Sequence, residues 1–116
     1  HQQIPEMTVV GHNTATIRES LLEKAFELGE RFITASKEHY DPGIIGPFCL
    51  QTCIDKDMNY YIYDVAPRLG GGTNVHVSVG HPYGNATWRK PMSSGRRIAM
   101  ELRMAAEQDR LLEVLT

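Results

Sequence analysis

FCLQTCIDKDMNYYIYDVAPRLGGGTN, residues 48–74, contains the clearest β-strand pattern in this chain. Two runs, at 48–54 and 59–66, alternate side chains between two faces, which predicts two β-strands. The polar residues between them predict a tight turn, so the two runs should form an antiparallel hairpin. Pro67 and Arg68 then lead into a loop with three consecutive glycines at positions 70–72.

The register of this hairpin brings two polar side chains together. With residues 56 and 57 as the centre of a two-residue turn, Gln51 lies opposite Ile62. Asp64 is then a diagonal neighbour of Gln51 on the same face, at roughly 7–8 Å between backbones. Two oxygen donors at this reach suit a hard cation such as Mg²⁺ carried with a nucleotide phosphate. A register slip of one residue separates them, and an amphipathic hairpin with a solvated Asp64 and Gln51 is the alternative interpretation.

Length and composition bound the remaining possibilities. The 116 residues predict a single domain, 1–116, and the net charge of −2 favours neither nucleic acid nor an anionic membrane as a partner. No apolar run approaches the roughly 20 residues of a membrane span, and no signal peptide is visible. Cys49 and Cys53 share one strand face about 13 Å apart, which predicts reduced thiols and a cytoplasmic location. Because the first residue is His1 rather than Met, we expect a piece of a longer polypeptide.

The flanking segments predict an α+β fold, an antiparallel sheet with flanking helices. A strand is expected at 7–11 and a helix at 17–38, where Thr16 and Glu19 have the spacing of a capping box. After the hairpin, alternating valines predict a further strand at 75–79, and 81–90 is predicted to be a loop. Ser93 or Ser94 is expected to cap a last helix at 95–115.

The segment from Asp64 to Arg68 has the residue types and spacing that suit a metal and a phosphate. An acid at a strand end can hold Mg²⁺, and an arginine four residues later can reach the phosphate that the metal bridges. Asn74 adds an amide donor or an oxygen ligand after the glycines, whose loop is either a phosphate-binding loop or a flexible turn. Elsewhere no nucleophilic constellation is visible, and the histidines, His12 among them, lack metal-ligand spacing.

These features resemble the ATP-grasp ligases, whose last strands supply two metal ligands and an arginine. More specifically, several motifs look like the PurP family of archaeal purine-biosynthesis ligases. They are IRESLL at 17–22, PGIIGPFCLQ at 42–51, GTN at 72–74, PY at 82–83 and PMSSGRRIA at 91–99. The resemblance covers most of the chain, from about residue 8 to the last helix, and implies the carboxy-terminal part of an ATP-grasp fold.

The resemblance implies a formate-dependent phosphoribosyl-aminoimidazolecarboxamide ligase with ATP as co-substrate. ATP would phosphorylate formate, and the amine of aminoimidazole carboxamide ribonucleotide would attack the formyl phosphate. Gln51 and Asp64 match the family's metal ligands for Mg²⁺, with Mn²⁺ as an alternative, and Arg68 matches its catalytic arginine. His12, Asn13 and Asn74 fall at substrate-binding positions. A homo-oligomer is expected.

Three departures from the family pattern bear on the substrate. Asp64 replaces a glutamate, Ala66 replaces a small polar residue, and His12 stands in place of a ribonucleotide-binding asparagine, with Asn13 beside it. Two rival functions therefore stay open. One is a non-catalytic assembly or binding domain of the same fold, and the other is an ATP-grasp ligase that joins a different carboxylate to an amine.

Overall fold

A computed structural model describes residues 8–115, except the side chain of Asn74. Its main elements are α1 (Glu19–His39), β1 (Cys49–Ile54), β2 (Tyr60–Ala66), α2 (Pro82–Trp88) and α3 (Ser94–Glu107). β1 and β2 pair antiparallel in a two-stranded sheet. The predicted class, an α+β chain with an antiparallel sheet and flanking helices, is confirmed. The predicted strand at 7–11 is wrong for residues 8–11, which are irregular, and Met7 lies outside the described residues.

Helix α1 begins two residues later than the sequence predicts. Arg18, with φ −60° and ψ 141°, is the N-cap residue, and its carbonyl accepts a 2.9 Å hydrogen bond from the amide of Leu21. No side chain caps the helix, so the predicted capping box of Thr16 and Glu19 is wrong. The extended backbone of Arg18 sets the boundary instead. The predicted end near residue 38 is confirmed, because the helix ends at His39.

α1 contacts the hairpin at two points along its length. The Tyr60 hydroxyl donates a 3.1 Å hydrogen bond to the carbonyl of Leu21, which is buried. Near the other end of the helix, the rings of Phe32 and Phe48 lie 4.9 Å apart between centroids. The face of the sheet that carries Tyr60 therefore turns toward α1, and the face that carries Gln51 is left for other contacts.

The hairpin turn has three central residues rather than the predicted two. The amide of Met58 donates to the carbonyl of Asp55 at 3.1 Å, and the amide of Asp55 donates to the carbonyl of Asn59 at 3.1 Å. Met58 adopts a left-handed conformation with φ 63°. This is the geometry of a type I turn closed by a left-handed residue. The extra turn residue shifts the register by one, so that Ile54 pairs with Tyr60.

A β-bulge in β2 shifts the register a second time. Thr52 pairs with Ile62, but the next residue of β1, Gln51, pairs with Asp64, which leaves Tyr63 as the additional residue. The turn alone would have placed Asp64 on the face opposite Gln51. The bulge returns it to the same face and makes the two residues direct partners. The predicted diagonal relation is therefore wrong, while the predicted shared face is confirmed.

The Asp55 carboxylate organises the turn. It accepts hydrogen bonds from the backbone amides of Asp57 and Asn59, both at 2.9 Å, from Asn59 Nδ2 at 3.2 Å and from the Tyr61 hydroxyl at 3.1 Å. These bonds favour the ionised form, and the backbone amide of Asn59 contributes most, so the pKa of Asp55 lies below its ordinary value.

We expect the hairpin to lose stability in acid because of Asp55. Its pKa is lower in the folded state than in the unfolded state, so its contribution is present above the unfolded pKa. That contribution is lost as pH falls through the folded pKa. Thermal unfolding followed at successive pH values should show this loss in the parent protein and a smaller one in Asp55→Asn. Identical acid sensitivity in the two proteins would contradict the assignment.

Two segments after the hairpin differ from the sequence predictions. The predicted strand at 75–79 is wrong: a short 3₁₀ helix, Gly71–Val75, runs into a turn. There the carbonyl of Val77 accepts from the amide of Ser94 at 3.1 Å, a bond to α3 rather than to a neighbouring strand. The predicted loop at 81–90 contains helix α2, which His81 caps and Pro82 begins. Proline at the first helical position is a start signal that the sequence reading missed.

Helix α3 begins where the sequence predicts and ends earlier. The Ser93 hydroxyl accepts from the amide of Arg96 at 3.2 Å, which confirms the predicted cap. The helix ends at Glu107 because Asp109 takes a left-handed conformation with φ 58°. The amide of Arg110 then returns to the carbonyl of Ala105 at 2.8 Å, a common way to close a helix.

The described part of the chain buries little apolar surface. Its buried apolar side chains are Leu21, Ala66, Met92 and Ala105. The radius of gyration is 16.9 Å, against about 13 Å for a compact chain of this length. Large apolar side chains such as Phe26 and Tyr63 are 57% and 65% exposed. Across residues 8–115, no helix is both long enough and apolar enough to cross a bilayer.

Candidate functional site

Gln51 and Asp64 form a direct cross-strand pair on the face of the hairpin that turns away from α1. Gln51 Nε2 donates a 2.7 Å hydrogen bond to Asp64 Oδ2. A carboxylate only accepts hydrogen bonds, so the amide nitrogen of Gln51 turns toward it. Within residues 8–115, Gln51 Oε1 and Asp64 Oδ1 are the oxygens of the pair that this hydrogen bond does not use.

This donor set fits a magnesium ion that arrives with phosphate. Mg²⁺ is usually held by one or two protein oxygens, while substrate phosphates and water complete its octahedron. Gln51 is half-buried and Asp64 is exposed, so both can be reached from solvent. Among residues 8–115, no three His, Cys, Asp or Glu side chains cluster in a way that would hold a metal by themselves. The residues present fit a metal shared with a nucleotide better than one enclosed by the chain.

Arg68, the predicted catalytic arginine, lies two residues beyond the end of β2. Its guanidinium is exposed, and Nη1 donates a 2.7 Å hydrogen bond to the carbonyl of Leu69, the next residue. The five donors of a guanidinium are not used up by one carbonyl. Among the described residues its other N–H groups have no partner and can meet a phosphate, and breaking an exposed hydrogen bond to its own neighbour costs little.

His12 lies against the glycine turn. A Cβ built on Gly71 would stand 3.7 Å from His12 Cε1, and one built on Gly72 would stand 3.4 Å from His12 Cδ2. The structure thus brings the predicted substrate-binding His12 next to the predicted phosphate loop, although 59 positions separate His12 from Gly71 in the sequence. Neither the proximity of His12 to this loop nor the 3₁₀ conformation of the loop follows from the sequence.

The other predicted substrate-binding residues are less defined. Asn13 is exposed beside His12. Asn74 lies in the 3₁₀ helix, and its side chain lies outside the described part of the structure. A second group of rings lies after this helix, where His76 and His81 are 5.1 Å apart between centroids. Burial, and then the neighbouring charge of His76, lower the pKa of His81.

Two features of the site were missed at the sequence level. The bulge at Tyr63 decides that Asp64 faces Gln51, and no residue type in β2 signals a bulge there. The second is the close approach of Gly70 to Cys49 at the start of β1. The run of three glycines indicates that the backbone can approach another group closely, but it does not indicate that this group is Cys49.

Comparisons with known proteins identify the fold and the family of this chain. The crystal structure of an IMP biosynthesis protein PurP from Thermococcus kodakaraensis matches 98% of this chain with a TM-score of 0.81 and 38% identity. This chain covers 37% of that structure. The fold is therefore that of a PurP-related α+β domain, and the resemblance to PurP that the motifs predict is confirmed.

Curated relatives carry the same resemblance. Proteins named 5-formaminoimidazole-4-carboxamide-1-(beta)-D-ribofuranosyl 5'-monophosphate synthetase are 38% identical in Methanobrevibacter smithii and 43% identical in Saccharolobus solfataricus. Each alignment covers 97% of this chain, and the chain spans about a third of each relative, 31% and 33%. A family model described as "Domain of unknown function (DUF1297)" matches residues 1–116, so the chain belongs to this domain family.

Proposed function

We propose that this chain is the carboxy-terminal part of an ATP-grasp ligase that formylates aminoimidazole carboxamide ribonucleotide with formate in IMP biosynthesis. One observation carries the proposal, the 2.7 Å pairing of Gln51 with Asp64 on an accessible sheet face. The likeness to PurP proteins over nearly the whole chain supports it. The relatives are about three times as long as this chain, which is long enough to contain the remaining parts of a nucleotide cleft.

The proposed reaction has two steps. Formate attacks the γ-phosphorus of ATP, which breaks the bond to the β–γ bridging oxygen and yields formyl phosphate and ADP. The amine of the ribonucleotide then attacks the formyl carbon, phosphate leaves, and the nitrogen loses a proton. Mg²⁺, or Mn²⁺ in its place, would supply charge neutralisation at the phosphate oxygens.

Each candidate residue has a role in these steps. Gln51 and Asp64 would hold the metal through their oxygens, and their mutual hydrogen bond fixes the direction of both side chains. Arg68 offers its free N–H groups to the phosphoryl group during transfer, where charge-assisted hydrogen bonds are strongest. His12, Asn13 and Asn74 are the proposed contacts to the ribonucleotide near the glycine turn.

Asp64 has a shorter side chain than the glutamate that the resemblance implies at this position, and the pairing of the strands compensates for it. Aspartate lacks one methylene, yet direct cross-strand pairing brings its oxygen within 2.7 Å of Gln51 Nε2. The shorter side chain of Asp64 therefore still reaches Gln51.

The partners and location belong to the same proposal. ATP, formate and aminoimidazole carboxamide ribonucleotide are the proposed small-molecule partners, and a homo-oligomer in the cytoplasm is the proposed state. Cys49 and Cys53 are free thiols, as expected in a reducing compartment. The exposed rings of Tyr61 and Tyr63, at 56% and 65%, provide apolar surface for contact with another subunit or domain.

A non-catalytic binding domain of the same fold is the second candidate. The exposed apolar side chains favour it, because they suit an assembly surface as well as a catalytic one. Calorimetry of the complete native polypeptide separates the two functions. Mg²⁺-dependent ATP binding, followed by ADP release that requires both formate and the ribonucleotide, supports the ligase. Failure to bind ATP with Mg²⁺ would refute the ligase function. ADP release with a different carboxylate would show that the ligase uses that carboxylate in place of formate.

A further inference from the structure

The backbone angles of Gly70 do not require a glycine. Gly70 precedes the 3₁₀ helix with φ −74° and ψ 162°, an extended conformation that any residue adopts. Backbone conformation therefore does not explain why residue 70 is glycine. The explanation lies in the atoms that surround its Cα.

The glycine turn closes directly on the first residue of β1. A Cβ built on Gly70 would lie 2.7 Å from Cys49 Sγ and 3.1 Å from Cys49 Cβ. Cβ atoms essentially never come within 3.0 Å of another heavy atom, so a side chain here forces the strand, the thiol or the turn to move. Cys49 is half-buried and pairs with the buried Ala66 at the end of β2, which limits where it can go.

This contact lies between two parts of the candidate site. Cys49 is two residues before Gln51 in β1 and shares its face, as the pairing of both residues shows. On the other side, Gly71 and Gly72 follow Gly70 and lie against the ring of His12. Gly70 is thus joined to Gln51 through β1 and to His12 through the glycine turn.

We propose that Gly70 is a positioning residue, whose missing side chain lets the glycine turn close on Cys49 and so sets the position of Gln51 relative to His12. It touches no reacting group. An effect of Gly70 on metal affinity depends on the proposed role of Gln51 and Asp64 as metal ligands. The packing of Gly70 on Cys49 is independent of that role.

Gly70→Ala in the complete native polypeptide is the test, with Mn²⁺ affinity as the first readout. We expect Mn²⁺ to bind about tenfold more weakly, the lower end of the effect seen when support around a metal ligand is lost. Gly29→Ala is the control, since a Cβ there meets nothing within 4 Å. Removing the thiol relieves the 2.7 Å contact and leaves the 3.1 Å contact with Cys49 Cβ, so the double variant with Cys49→Ala should bind Mn²⁺ more tightly than Gly70→Ala. Affinity within twofold of the parent in Gly70→Ala, or a double variant no better than Gly70→Ala, would overturn the proposal.

A second readout does not depend on metal. With Cys53 replaced by Ser, mass spectrometry of the peptide that carries Cys49 reports how fast its thiol is alkylated. We expect Gly70→Ala to accelerate alkylation several-fold, and Gly71→Ala to leave it unchanged, because a Cβ at Gly71 meets only His12 at 3.7–3.8 Å. Unchanged alkylation in Gly70→Ala would refute the packing role. If the parent binds no Mn²⁺, the metal assignment fails and alkylation alone decides the role of Gly70.

Discussion

Asp64→Ala in the complete native polypeptide is expected to reduce Mg²⁺-dependent ATP turnover at least about 100-fold. The substitution removes one of the two protein oxygens offered to the metal. It also leaves Gln51 without the 2.7 Å hydrogen bond that fixes its direction. Both effects act on the same ion, so the loss should appear in the rate constant and in the Mg²⁺ concentration needed for half-maximal turnover.

Matched variants separate this loss from a general disturbance of the hairpin. Asp57→Ala removes an exposed carboxylate of the turn whose side chain makes no hydrogen bond in the described structure, and it should keep nearly full turnover. Asp64→Glu keeps the carboxylate and should retain most activity, while Asp64→Asn should not. Turnover of Asp64→Ala within a fewfold of the parent would refute the assignment of Asp64 as a metal ligand.

The isolated 116-residue chain is expected to show no ligase activity. Its candidate ligands and Arg68 lie on an accessible surface, and Asp64 and Arg68 are exposed. Phosphoryl transfer from ATP to formate requires exclusion of water, which would otherwise accept the phosphoryl group. Two oxygens on an open hairpin can bind a metal weakly, but they cannot enclose a nucleotide.

Formate-dependent ADP release should therefore be measured side by side with the isolated chain and the complete native polypeptide. The chain with Asp64→Ala controls for contaminating kinases, because a contaminant would be unaffected by that change. ADP release by the isolated chain that disappears in its Asp64→Ala variant would contradict the prediction.

The sequence predicts the elements of the hairpin but not its register. Alternation identified both strands and the shared face of Gln51 and Asp64, because side-chain periodicity is a local property. The register depends on the left-handed conformation of Met58 and on the bulge at Tyr63, and each shifts the pairing by one residue. Met58 is not a residue type that signals a left-handed turn, and bulges have no strong local code.

The valine alternation at 75–79 shows the limit of periodicity. It predicts a strand, yet the backbone of this segment bonds to α3 and forms a turn, because tertiary contacts override a short local pattern. The position of His12 beside Gly71 is likewise a tertiary fact. The sequence resemblance singled out His12, but only the structure shows that it lies next to the glycine turn.

Anomalous diffraction from Mn²⁺ in crystals of the complete native polypeptide with ADP would show where the metal lies relative to Gln51 and Asp64. We predict a metal peak about 2.1 Å from the oxygens of Gln51 and Asp64, with further coordination by the diphosphate. Well-ordered Mn²⁺–ADP bound elsewhere, with no metal peak at the oxygens of Gln51 and Asp64, would contradict it.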